Sequence, residues 1–359
     1  MKAFHKTLPA LALLPMLILA ACSGEQNAQN TAASEPAASA SAGDNSLLQE
    51  AQALFKPLPD AKAHQAERGF TDEQVKLGQQ LWYDARLSKA NDISCNSCHV
   101  LDTHGVDNKP TSPGHEGALG ARNSPTALNA AFLGSQFWDG RAPDLEEQAK
   151  GPMINPVEMA MPDHDAVVKK VAAIPGYAAQ FAKLYADKGE VTINNIVHAI
   201  GAFERTLLTP SRWDDYLKGN KEALNEQERR GVRAFIDNGC IACHSGVNLG
   251  GDTFQKFGLV KPYWEFIDAP KRDEGKFEVT GKEEDKYVFR VSPLRNIEKT
   301  APYFHNGSVS DLKQAISIMA ETQLGKTLPQ QDIDDIAAFL NATTGEVPAE
   351  AKVVPELPQ

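Results

Sequence analysis

The chain has 359 residues, 42% hydrophobic and 23% charged, which allows two ordinary domains with real cores and excludes a wholly disordered protein. Lys plus Arg total 36 against 47 for Asp plus Glu, a net charge of -11 without a long basic run, so no nucleic acid partner is expected.

Residues 1–22 read as an export signal. Lys2 and Lys6 give a positive start, and the apolar stretch from Leu8 to Ala21 is too short and too proline-interrupted to span a bilayer. It ends in Leu19-Ala20-Ala21-Cys22, which resembles a bacterial lipobox. That resemblance implies cleavage before Cys22, lipid on its thiol and amino group, and a periplasmic protein held to a membrane by several acyl chains. Ser23, where inner-membrane lipoproteins often carry Asp, points to the outer membrane. Residues 23–65 follow as an expected disordered tether, since up to about Ala53 only Leu47 and Leu48 are large and apolar.

Cys95-Asn96-Ser97-Cys98-His99 and Cys240-Ile241-Ala242-Cys243-His244 account for the other four cysteines. Both are C-x-x-C-H, the covalent haem c signature. Two thiols one helical turn apart can add to the two haem vinyl groups, and the adjacent His99 or His244 reaches the iron from one face. The long separation of Cys98 from Cys240 disfavours a zinc ribbon.

The chain also repeats itself. Glu73-Gln74, Gly78 and Trp82-Tyr83-Asp84 match Glu226-Gln227, Gly231 and Phe235-Ile236-Asp237, each a helix leading into a haem motif. Thr71 with Gln74, and Asn225 with Glu228, have capping-box spacing, and Asn238-Gly239 is a stop signal. Each half closes on an amphipathic helix, striped by Ile193, Ile196, Val197 and Ile200 in the first and by Ile333, Ile336, Ala337 and Leu340 in the second. The expected architecture is mostly α, two tandem cytochrome c-like domains at 66–208 and 209–359. For the sixth ligand of the second iron the chain offers Met319 and His305, and ligation by Met319 would raise that haem's potential. For the first iron His104, His115, Met153, Met159 and Met161 all stand open, with His115 in a Gly-rich loop able to move.

At this point the residues resemble a family. Cys95 to His99, His115 in its loop, Arg122-Asn123-Ser124-Pro125, Trp138-Asp139-Gly140-Arg141, Gln148, Gly151 to Met159, Cys240 to His244, Pro302 to Gly307 and Met319 look like the bacterial dihaem cytochrome c peroxidases. The likeness runs from about Ala66 to Gly345. It implies two covalent haem c groups and hydrogen peroxide as substrate. The first haem, held by His99 with His115 as removable ligand, would be peroxidatic. The second, held by His244 and Met319, would receive electrons from a small periplasmic cytochrome c or copper protein. Glu158 is the implied general acid/base and Gln148 positions peroxide and water; without the resemblance, Glu158 reads as a solvated carboxylate and Gln148 as an exposed helix position. Trp138 is implied on the route between the haems, a place equally natural for a packed aromatic. The family also implies a Ca²⁺ ion held by Asn123 and the carbonyls of Thr300 and Pro302, and homodimers. Two other functions fit the same motifs: a dihaem electron-transfer cytochrome without peroxidase activity, and the related enzyme that oxidises tryptophans in a partner protein, which carries Tyr where this chain has Met319.

Overall fold

Apolar residues spaced three or four apart behind a capping side chain are the helix signal of this sequence, and the computed structural model carries helices at those places. It describes residues 37–185 and 190–359, with side chains from Asn45 onward. The first half runs α1 (Ala37–Leu54), α2 (Ala61–Glu67), α3 (Asp72–Tyr83), the single turn α4 (Cys95–Cys98), α5 (Leu145–Ile154), α6 (His164–Ala172), α7 (Pro175–Leu184) and α8 (Ile193–Glu204). The second runs α9 (Arg212–Leu217), α10 (Glu226–Asp237), α11 (Phe277–Thr280), α12 (Leu312–Met319), α13 (Gln330–Ala342) and α14 (Ala349–Lys352). Strands β1 (Phe254–Lys256) and β2 (Val288–Arg290) form one antiparallel pair, with Phe254 opposite Arg290.

One device is built twice. Thr71 and Gln74 cap α3 reciprocally, as Asn225 and Glu228 cap α10. α3 crosses α8 where a Cβ on Gly78 would collide with the Ala199 carbonyl, and α10 crosses α13 where a Cβ on Gly231 would collide with the Asp335 carbonyl. Glycine is required at both crossings because the backbones themselves are in contact. Beside them Trp82 meets Phe203 at 5.7 Å, and Phe235 meets Phe339 at 5.5 Å.

α1 and the C-terminal segment depart from the expected tether and from the linear division near Thr209. Leu47, Leu48, Ala51 and Phe55 are buried in the core that contains Trp213, Phe235 and Phe339, with Phe55 5.3 Å from Trp213. The described part of residues 23–65 is therefore ordered: few apolar side chains suffice when they form one stripe landing on an apolar groove made by distant helices. At the other end, Val347 and Ala351 join the core of α3 and α8. Gln79 and Gln80 donate to the carbonyls of Glu350 and Glu356, at 2.8 and 3.0 Å, so the last residues belong to the first half's packing. Residues 43–359 pack as one body, and at its middle the Asn129 and Asn296 amides both donate to the buried Thr209 hydroxyl at 2.8 Å. The export signal, Cys22 and residues 23–36 lie outside the described residues. Among the described residues no helix is long and apolar enough to cross a membrane.

Candidate functional site

The first cavity, about 550 Å³, is built around α4. Its single turn sets Cys95 and Cys98 on the cavity wall, and the His99 N–H donates to the Cys95 carbonyl at 3.0 Å, turning His99 onto the same wall. Burial holds the His99 imidazole below its ordinary pKa, against its contacts with the Gly105 and Pro125 backbones, so the neutral ring that a metal requires is favoured. Trp82 packs 6.1 Å from it.

The same cavity is lined by Gln148, from α5, and Glu158, from the turn that follows α5. The Asn155 side chain donates to Glu158 Oε1 at 2.7 Å. Burial pushes the Glu158 carboxyl above its usual range, outweighing the Arg141 charge and the Asn155 bond. A carboxyl so placed can both take and return a proton.

The second cavity, about 340 Å³, repeats the thiol wall with Cys240, Cys243 and His244. Here the His244 ring is fixed, Nδ1 lying 3.0 Å from the Leu249 carbonyl, which leaves Nε2 for a metal. Gly250, at φ 125°, lets the loop close on this ring, since a Cβ there would strike the Ser292 carbonyl. Met319, the last residue of α12, also lines this cavity. His305 lines it too, stacked on Phe289 at 4.5 Å and pushed down to about 4 by burial. Among the described residues, no carboxylate lines this cavity.

Two thiols a turn apart with a buried neutral imidazole beside them, on the wall of a sizeable cavity, fit a covalently held haem, and the arrangement occurs twice. Residues 72–222 match the family described as di-haem cytochrome c peroxidase. The cytochrome c551 peroxidase of Pseudomonas aeruginosa is 47% identical over 306 residues, covering 85% of this chain and 88% of that protein. The cytochrome c551 peroxidase of Nitrosomonas europaea is 44% identical over 297 residues, covering 82% and 86%. Among solved structures, a MauG-like protein associated with microbial copper homeostasis is 29% identical with a TM-score of 0.71, covering 84% of this chain and 96% of that one. The chain belongs to the di-haem cytochrome c peroxidase family. It is a cytochrome c peroxidase, an oxidoreductase acting on hydrogen peroxide, and the family carries two haem c groups.

For a di-haem peroxidase the candidate sixth ligands of the first iron are distributed unevenly. Met153 and Met159 line the first cavity; His104, His115 and Met161 do not. The His115 loop is held by its backbone: a Cβ on Gly114 would strike the Val157 carbonyl, and the His115 N–H donates to the Glu158 carbonyl at 2.9 Å. The chain then turns through left-handed Glu116 (φ 55°) and Gly117 (φ 76°). His115 Nε2 lies 3.7 Å from Glu116 Oε1, while Nδ1 is buried without a partner.

Trp138 lines both cavities, its indole N–H donating to the Asn123 carbonyl at 2.8 Å. The Asn123 N–H donates to the His305 carbonyl at 2.7 Å, and Asn108 ties the preceding loop to the carbonyls of Lys299 and Ala301 at 3.0 and 2.8 Å. The structure thus draws the loop of Asn123 to the segment of Thr300 and Pro302.

Sequence reasoning missed Glu204, Arg122 and Arg290 as cavity residues. Glu204 is 5% exposed, its carboxyl pushed up to about 8 by burial, with Oε2 unpartnered. Its signal was available: it falls four residues after Ile200 on the buried stripe of α8. Arg122 stood inside a quoted motif without a role, and here it binds Asp139, Asp273 and Glu278 at 2.5, 2.6 and 2.9 Å.

Proposed function

We propose that peroxide is reduced in the first cavity and that electrons arrive through the second. The observation carrying this reading is the contrast in their linings: Glu158 and Gln148 line the first, while among the described residues no carboxylate lines the second, which has Met319. Bound through Cys95, Cys98 and His99, the first haem would supply a redox-active iron for the two-electron reduction of peroxide. Glu158 accepts the proton of one peroxide oxygen and returns it to the other, the leaving oxygen. Gln148 orients peroxide and product water through its amide. His115, outside the first cavity in this structure, would be the removable ligand, with the left-handed turn at Glu116 and Gly117 as the hinge that brings its loop in. His244 and Met319 would hold the second iron, and Trp138 lines both cavities.

The deciding experiment mixes half-reduced protein with hydrogen peroxide or carbon monoxide in a stopped-flow spectrometer. One haem should bind the added molecule, and peroxide should oxidise the other. If neither haem binds a ligand at any redox poise, the chain is an electron-transfer cytochrome instead. The likeness to a MauG-like structure favours a test of the second reading: a far-red thioether-to-iron band from Met319 is expected here, and its absence would support tryptophan oxidation.

The same proposal assigns Asn123, Thr300 and Pro302 to a Ca²⁺ ion, a hard-oxygen set joining the two loops drawn together above. Mild chelation should lower activity and release one calcium per chain. A small periplasmic cytochrome c or copper protein is the proposed donor, and lipid on Cys22 the proposed anchor. Cys22→Ala should then move the protein from the membrane to the soluble periplasmic fraction.

A further inference from the structure

Arg290 ends β2 at the junction of the two cavities and lines both. It is 3% exposed. Its N–H donates to the Trp138 carbonyl at 2.8 Å and its Nε to the Phe137 carbonyl at 3.2 Å, while Nη1 is buried with no partner. None of the ion pairs found among the described residues includes it, and Asp252 acts on it only as a more distant charge. Burial lowers its pKa to about 10, still well above neutrality, so the side chain stays a cation.

A buried cation without an anion is strongly destabilising, so a native fold that keeps one is expected to pair it with something. The other arginines near this junction are already occupied. Arg122 is saturated by Asp139, Asp273 and Glu278, and Arg141 is bound to Asp139 at 2.7 Å. Haem c keeps two propionate carboxylates after its vinyl groups have bonded to cysteine, and these are anions that both cavities would receive.

We propose that Arg290 pairs with a haem propionate at the junction, through the free Nη1, and that its charge makes the iron of that haem easier to reduce. This rests on the two-haem reading above. A fixed positive charge in a low-dielectric interior stabilises the reduced iron, which carries one positive charge fewer than the oxidised one. Arg290 is therefore a positioning residue, acting on electron flow without touching peroxide. The propionate could come from either cavity, and the haem whose potential responds identifies the source.

The test is a spectroelectrochemical titration of both haems in the parent protein, Arg290→Gln and Arg290→Lys, with haem counted by pyridine haemochrome. In Arg290→Gln the ratio of reduced to oxidised iron at fixed poise should fall about tenfold for at least one haem, a lowering of about 59 mV for a one-electron couple. Arg290→Lys, which keeps the charge, should restore most of it. Two potentials unchanged in Arg290→Gln, with both haems attached, would overturn the proposal. If Arg290→Gln fails to load haem, Arg290→Lys decides: loading with near-parental potentials supports the proposal, and equal failure rejects it. A parent protein holding fewer than two haems refutes the two-haem reading itself, an outcome visible before any variant is made.

Discussion

The two halves share a frame and differ in what faces the cavity. In each, a capped helix crosses a second helix at a glycine, and an aromatic beside that crossing packs on the histidine of the thiol motif: Trp82 with His99 at 6.1 Å, Phe235 with His244 at 6.3 Å. The histidine wall is thus common to both. The rest of the lining is not, since Gln148 and Glu158 line the first cavity, whereas among the described residues no carboxylate lines the second. A repeated scaffold can hold a cofactor twice while a few other lining residues set what chemistry each place could support.

The largest effect that would test this contrast comes from Glu158→Gln. Turnover with peroxide should fall by about 10² to 10⁴-fold with both haems still attached, measured by steady-state assay alongside haem content. Turnover within a few-fold of the parent would erase the difference assigned to the two walls. The shared frame is probed next. Gly78→Ala and Gly231→Ala should each destabilise by about 1–3 kcal/mol, read as a lowered thermal midpoint of the holoprotein, because each methyl must push a backbone carbonyl away. An unchanged midpoint in one variant alone would mean that the two crossings are not equivalent.

A smaller effect belongs to Glu204. Its carboxyl, raised by burial to about 8 from 4.5, keeps its proton in the folded protein through a range where the unfolded chain has lost it. With fewer protons on the unfolded state, stability falls as pH rises from about 4.5 to about 8. Glu204→Gln should flatten that fall in denaturant titrations at pH 5 and pH 8. An equal slope in parent and variant would show that the group gains a partner in the holoprotein.

Much of this was legible because the governing forces are local. Thr71 with Gln74 and Asn225 with Glu228 cap their helices within one turn, and the isoleucine stripes of α8 and α13 bury the faces their spacing marks. The ordering of α1 was not legible, because Leu47 and Leu48 become core only against Trp213 and neighbours more than 150 residues away. The same holds for the chain end, where Ala351 accepts from the Tyr83 hydroxyl at 2.9 Å. The backbone of the His115 loop likewise rests on the carbonyls of Val157 and Glu158, more than 40 residues away, which its own Gly-rich sequence does not announce.

By itself the sequence determined two haem-binding motifs, their helices and their order, since thiol spacing, capping and stripe periodicity act over a few residues. Only the tertiary structure decided which side chains share a cavity. It set Glu204 beside the first thiol wall, packed α1 and the C-terminal segment each onto the other half, and brought Trp138 and Arg290, 152 positions apart, to one junction. Such juxtapositions come from packing between distant segments, where burial and backbone contact, not neighbouring residues, select the partner.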